Sequence, residues 1–187
     1  MQRLGLDYLD LYLIHTPNPL QFRDSFEKTN AETWKAMEEI YRSGRVRAIG
    51  VSNYLSHHLE ATLKIADIAP AVNQIRLYPG FLQQETVDYC KEKNILLQAY
   101  SPFGTGSLLN APELVLMAKK YNKTPAQVAL RWSLQVRFLP FSKSINANRI
   151  KENSNIFDFI LSNEDVNLLS YMKNYCGVGW HPDTMPF

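Results

Sequence analysis

Residues 44–53 read Gly-Arg-Val-Arg-Ala-Ile-Gly-Val-Ser-Asn, and this stretch decides the fold. Gly44 stands where a helix ends, because glycine takes the left-handed C-terminal conformation at no steric cost. Residues 48–51 form a short, continuous apolar run of the kind that reads as a buried strand. Ser52 and Asn53 then end the run with two hydrogen-bonding side chains. A helix stop, a strand buried on both faces and a polar strand end are the marks of a βα unit in a parallel sheet.

The same unit recurs in both directions. Upstream, residues 9–14 (LDLYLI) read as a strand ending at His15, followed by a polar loop with Pro17, Asn18 and Pro19. Residues 32–43 then carry Trp34, Met37, Ile40 and Tyr41 at helical spacing. Downstream, strands are expected at 72–75, 96–99 and 138–141. Ser56 is expected to cap a helix carrying Leu59, Leu63 and Ala66, and further helices are expected at 83–93, 112–121, 124–135, 146–153 and from 163 onward. The stretch SPFGTGSLLN (101–110) reads as a loop, and the tail from Cys176 has no period. Five βα units in a row, with no GxxxxGK and no early GxGxxG, favour a (β/α) barrel over a doubly wound sheet.

Composition narrows the function classes. The 187 residues suffice for one domain, and 45% hydrophobic with 20% charged residues excludes disorder. Twenty basic against 18 acidic residues leave a net charge of +2, which gives no electrostatic footprint for nucleic acid or an anionic membrane. No stretch reaches the ~20 apolar residues of a membrane span, and the N-terminus has no signal-peptide core. Two distant cysteines, Cys90 and Cys176, point to a reduced, cytoplasmic chain without a disulfide framework. No metal site is expected.

In a (β/α) barrel the active site collects at the C-terminal ends of the strands. Those ends carry His15-Thr16-Pro17, Ser52-Asn53, Asn73-Gln74 with Tyr78-Pro79, Tyr100-Ser101-Pro102 and Ser142-Lys143-Ser144. Polar groups at the mouth of an apolar barrel are the distribution of a ligand site. Other residues have plainer readings. Trp34 and Trp132 lie on apolar helix faces and belong to the core, as does Cys90. His57 and His58 at a helix start are expected to be solvated, and His181 to lie on the surface.

In order and spacing, LGLDYLDLYLIHTP, GRVRAIGVSN, NQI with a nearby Tyr-Pro, AYSPFG and KSINANRIKEN with IFDFILS resemble the aldo-keto reductase family from Leu4 to about Asp165. The resemblance implies an eight-stranded (β/α) barrel of TIM-barrel type that binds NADPH or NADP without a Rossmann domain. It also implies reduction of aldehydes and ketones to alcohols by hydride transfer, with a small carbonyl compound as substrate. His15 resembles the histidine that hydrogen-bonds the substrate carbonyl. Ser52, Asn53 and Gln74 resemble the residues that hold the nicotinamide carboxamide. Tyr100 resembles the aromatic residue stacked on the nicotinamide, with Ser101 beside it in the cofactor site. Lys143, Ser144 and Arg149 resemble the group that holds the adenosine 2′-phosphate, and Glu152 and Asn153 the pair at the adenine. Trp180 lies in the tail that shapes the family's substrate pocket. The residue types suit these ligands: a carboxamide needs donors and an acceptor, and a dianionic phosphate suits a lysine with an arginine.

The resemblance also implies a shortfall. The family's catalytic Asp, Tyr and Lys precede the histidine, yet His15 lies fourteen residues after Met1. The chain is therefore expected to be a single partial barrel over residues 1–187, covering the fourth to eighth βα units. Residues from about 163 onward would form the C-terminal helix and tail. Arg76 and Leu77 depart from the family pattern, which often has acidic then aromatic residues there. Open barrel edges would favour self-association or pairing with an N-terminal fragment. Three readings follow: the C-terminal part of an NADPH-dependent reductase, inactive alone; a non-catalytic NADP(H)-binding module; or an interaction module using the barrel edges.

Overall fold

The computed structural model describes residues 2–185; Met1, Pro186 and Phe187 lie outside the described residues. Its strands are β1 (Tyr12–Ile14), β2 (Ile49–Ser52), β3 (Val72–Arg76), β4 (Leu96–Tyr100) and β5 (Leu139–Phe141), in the order β1-β2-β3-β4-β5. The helices are α1 (Phe26–Arg42), α2 (Ser56–Leu63), α3 (Gln84–Glu92), α4 (Pro112–Tyr121), α5 (Pro125–Gln135), α6 (Ala147–Ser154) and α7 (Asn163–Tyr171). Parallel pairing joins β1 to β2, β2 to β3 and β4 to β5. This is the parallel α/β architecture expected of part of a (β/α) barrel. Among the described residues, no helix is long and apolar enough to cross a membrane.

The chain divides into two compact units. The first comprises Met1–Gln74, Glu85–Leu96 and Trp180–Phe187. Register here follows from the central strand: Tyr12 faces Ile49 and Ile14 faces Val51, while Val51 faces Asn73 and Ser52 faces Gln74. All four residues of β2 are buried, as the unbroken apolar run requires. Gly50 allows the close approach of β3, because a Cβ there would lie 2.6 Å from the Val72 carbonyl oxygen. Trp34, fully buried on α1, donates from Nε1 to the Ile68 carbonyl at 3.0 Å. The buried Glu38 carboxylate accepts the backbone N–H groups of Asp67 and Ile68, each at 2.8 Å, so α1 fixes the turn that leads into β3.

The second unit comprises Ile75–Gln84 and Leu97–Gly179. Its core includes Leu114, Met117, Val128, Trp132, Leu161 and Leu169. Trp132 donates to Ser170 Oγ at 2.9 Å and meets Phe138 edge-on. Thr124 and Gln127 form a reciprocal capping box at the start of α5. Gln127 then spends its amide N–H groups on the carbonyls of Glu152 and Asn155, at 3.2 and 2.9 Å, which seats α6. Asp165 receives Lys120 at 2.7 Å and the Tyr121 hydroxyl, tying α7 to α4.

Several elements differ from the sequence expectation. Helix α1 begins at Phe26 rather than near Glu32, because Glu27–Asn30 carry no apolar stripe but remain helical on the first turn's own hydrogen bonds. A 3-10 turn at Leu20–Ser25 precedes it. Strand β1 is shorter than the apolar run, although Leu9 still bridges Val46. Residues Gly104–Asn110 form a 3-10 turn kinked at Thr105 and Gly106 instead of an open loop. Ser56 does not cap α2; Leu55 holds that position, and its N–H donates to His58 Nδ1 at 3.1 Å. His58 is consequently 1% exposed rather than solvated, whereas His57 and His181 are exposed as expected.

Candidate functional site

In the first unit, the ends of β1, β2 and β3 are tied together by their own polar side chains. Asn53 sits at φ 63°, a left-handed conformation that asparagine tolerates better than most residues. There its amide Nδ2 donates to the His15 carbonyl at 2.9 Å and to Ser52 Oγ at 3.1 Å. Ser52 Oγ donates to the Gln74 carbonyl at 2.8 Å, and the Asn53 N–H donates to the same oxygen at 2.9 Å. Asn73 extends the lattice, donating to the Tyr54 carbonyl at 2.8 Å. His15, Ser52, Asn53 and Gln74 thus converge, with Ser52 and Asn53 buried, Gln74 half-buried and the His15 side chain exposed.

The segment after His15 is fastened by the tail, which sequence reasoning left without structure. Thr16 Oγ1 donates to Met185 Sδ at 2.7 Å, and Arg23 donates to the Met185 carbonyl at 2.5 Å. Asn18 Nδ2 donates to the Asp183 carbonyl at 3.2 Å. The Asp183 carboxylate lies 3.1 Å from His57 Nε2 and 2.9 Å from His58 Nε2, the latter in a poorly directed contact. Burial holds the His58 imidazole well below its ordinary range, at about 4, and the His57 charge adds to the effect while Asp183 opposes it. No pattern of spacing signals this clasp, because its residues are more than a hundred positions apart. Trp180, also in this unit, is 39% exposed.

The second unit holds a cavity of about 700 Å³ lined by Ser101, Phe103, Lys143, Ser144, Arg149, Glu152 and Asn153, among others. Asn146 builds one wall: its Oδ1 accepts the Arg149 N–H at 3.1 Å and so caps α6, whose first turns then present Arg149, Glu152 and Asn153. Lys143 and Arg149 are exposed, and among the described residues neither comes within 4.0 Å of a carboxylate. Ser144 Oγ accepts the Asn146 N–H at 3.1 Å. Thr124 also lines the cavity and donates to Glu152 Oε1 at 2.7 Å. Its sequence signal was exhausted by its role as a helix cap. Tyr100, half-buried at the end of β4, has its hydroxyl pKa raised by burial, with the Arg76 charge opposing. A cavity with two unpaired cations, one carboxylate and one carboxamide can take a large polyanion that also carries a hydrogen-bonding heterocycle.

The pattern of the Aldo/keto reductase family matches residues 1–173. The chain is 46% identical over 187 residues to a glyoxal reductase of Bacillus subtilis, covering all of this chain and 65% of that protein. It is 43% identical over 183 residues to a 9,11-endoperoxide prostaglandin H2 reductase of Trypanosoma cruzi, covering 96% of this chain and 62% of that protein. Among solved structures, Gox0644 in its apo form superimposes with a TM-score of 0.91 at 38% identity, over all of this chain and 67% of its own. An aldo-keto reductase of Bombyx mori in complex with NADP gives a TM-score of 0.80 at 35% identity, over 90% and 59%. The chain spans less than two thirds of the length of these two relatives. With the family pattern running over nearly its whole length, the chain belongs to the aldo/keto reductase family.

Proposed function

We propose that this chain forms the NADP(H)-binding part, and the histidine-bearing strand end, of an oxidoreductase that reduces aldehydes or ketones to alcohols. The observation that carries the reading is the pair of unpaired cations, Lys143 and Arg149, on the wall of a 700 Å³ cavity. The residues fit the cofactor. Lys143 offers a point charge and Arg149 a planar fork to the 2′-phosphate, while Glu152 and Asn153 offer acceptors and a donor to the adenine. The cofactor would supply the hydride to the carbonyl carbon. His15, whose carbonyl is pinned by Asn53, would direct its imidazole to the carbonyl oxygen. Both N–H bonds of the Asn53 amide are engaged, so they are not offered to a nicotinamide carboxamide. Ser101 and Tyr100 would complete the cofactor site. Trp180 would bound the pocket for the carbonyl compound.

The test is titration of the chain with NADPH and with NADH, followed by cofactor fluorescence. Because Lys143 and Arg149 are exposed, each contact with a phosphate is worth about 1 kcal/mol after solvent screening, or roughly fivefold in affinity. Lys143→Ala with Arg149→Ala should therefore weaken NADPH by about 20- to 50-fold and leave NADH nearly unchanged. Equal loss for both nucleotides would remove the 2′-phosphate assignment. NADPH oxidation in the presence of a simple aldehyde then separates a reductase from a module that only binds the nucleotide.

A further inference from the structure

The second unit contains an arginine held in place without a carboxylate partner among the described residues. Arg76 is the last residue of β3 and is half-buried. Its guanidinium carbon lies 5.3 Å from the Tyr78 ring centre and 5.9 Å from that of Phe81. These two rings stack on each other at 5.2 Å and 19°, which makes a rigid aromatic bed for the cation. The bed is itself anchored, because the buried Tyr78 hydroxyl donates to the Gly177 carbonyl at 2.9 Å. The backbone at Arg76 is fixed too: Gln83 Nε2 donates to its carbonyl at 2.7 Å. On the other side, Gly179 sits at φ +69°, and a Cβ there would lie 2.1 Å from Arg76 Nη1. Glycine therefore clears the space that the guanidinium occupies.

The arrangement positions the charge, and the described residues do not neutralise it. Among the described residues, no carboxylate comes within 4.0 Å of Arg76, and no side-chain N–H of Arg76 donates a hydrogen bond. Its guanidinium nitrogens are not among the buried polar atoms without a partner, so water meets them and an anionic ligand can reach them. The charge is close enough to the Tyr100 hydroxyl to act on it electrostatically. It does not line the cavity that holds Lys143 and Arg149. Two oxyanions could meet it, a carboxylate on the substrate or a phosphate of the cofactor. Its electrostatic reach to Tyr100 and its absence from the lining of that cavity favour the substrate.

We infer that Arg76 is a specificity-determining residue that receives the carboxylate of an acidic carbonyl substrate, such as an aldehyde or ketone bearing a carboxyl group. This rests on the carbonyl-reductase reading above. The probes are 4-carboxybenzaldehyde and neutral benzaldehyde, titrated by calorimetry into the chain with and without saturating NADP+, an oxidised cofactor that cannot turn them over. A charge-assisted, two-pronged contact should make the carboxylated probe bind at least about tenfold more tightly than the neutral one. Arg76→Met should abolish that preference and leave NADP+ affinity unchanged. Arg76→Lys, which keeps the charge but loses the fork, should retain part of it. Far-ultraviolet circular dichroism checks that both variants fold. Equal binding of the two probes by the unsubstituted chain would overturn the inference. So would an Arg76→Met variant that loses NADP+ affinity, since the guanidinium would then serve the cofactor. If NADP+ fails to bind but the carboxylate preference is present and needs Arg76, the inference stands and the cofactor reading falls.

Discussion

Acidification from about pH 8 to pH 5 should cost this fold about 2 kcal/mol through His58 alone. The imidazole is shut away, 1% exposed, with the Phe26 and Tyr54 rings edge-on to it at 5.6 and 5.8 Å. The charged groups that face it are His57, His181 and Asp183. Its folded pKa of about 4 lies below the ordinary 6.5, so the unfolded chain binds a proton first as pH falls. Stability is therefore complete above pH 6.5 and declines until about pH 4, below which this group takes no more. At pH 5 the difference in proton binding between the two states is worth about 2 kcal/mol, from RT ln[(1 + 10^1.5)/(1 + 10^−1)]. His58→Gln removes the titration yet keeps an oxygen for the Leu55 N–H and an N–H for Asp183. Urea unfolding at both pH values compares the two proteins, and the titrating groups that do not face His58 cancel in the difference. The unsubstituted protein should lose about 2 kcal/mol more than His58→Gln between them. Equal losses would show that burial does not hold this ring neutral.

Two further outcomes are expected. Asn53→Gly keeps the left-handed backbone and loses the bonds to His15 and Ser52, costing about 1 kcal/mol, whereas Asn53→Ala adds about 1 kcal/mol of backbone strain; an alanine variant as stable as the glycine variant in urea would refute the strain. Burial pushes the Cys90 thiol up to about 11, so mass spectrometry after brief alkylation near pH 8 should find Cys176 modified before Cys90, and the reverse order would contradict the burial of Cys90.

The sequence was most legible where a whole signal lies within one turn or one strand end. Helix α4 is an example: Pro112 opens it, Leu114, Met117 and Ala118 face inward, and Asn122 closes it in the left-handed conformation. The part of the cavity wall from Lys143 to Asn153 could be picked out for the same reason, since these residues are nearly contiguous and one asparagine cap organises them, whereas Thr124 gave no such signal. What escaped were features made by distant segments. His58 looks solvated in a Ser-His-His run at a helix start, but the returning Asp183 and the rings of Phe26 and Tyr54 enclose it. The early start of α1 was hidden because polar residues can be helical without leaving a periodic trace. Arg76 showed itself only as a departure from a pattern; the aromatic bed beneath it is a tertiary fact.

The contact between Thr16 and Met185 spans 169 positions, and Met185 is fully buried. The segment beside His15 is therefore closed by residues that lie far along the chain from it. A contact so distant in sequence forms slowly, and until the tail returns the strand end at His15 is unlatched. The segment beside His15 should accordingly become resistant to protease only once the tail has docked.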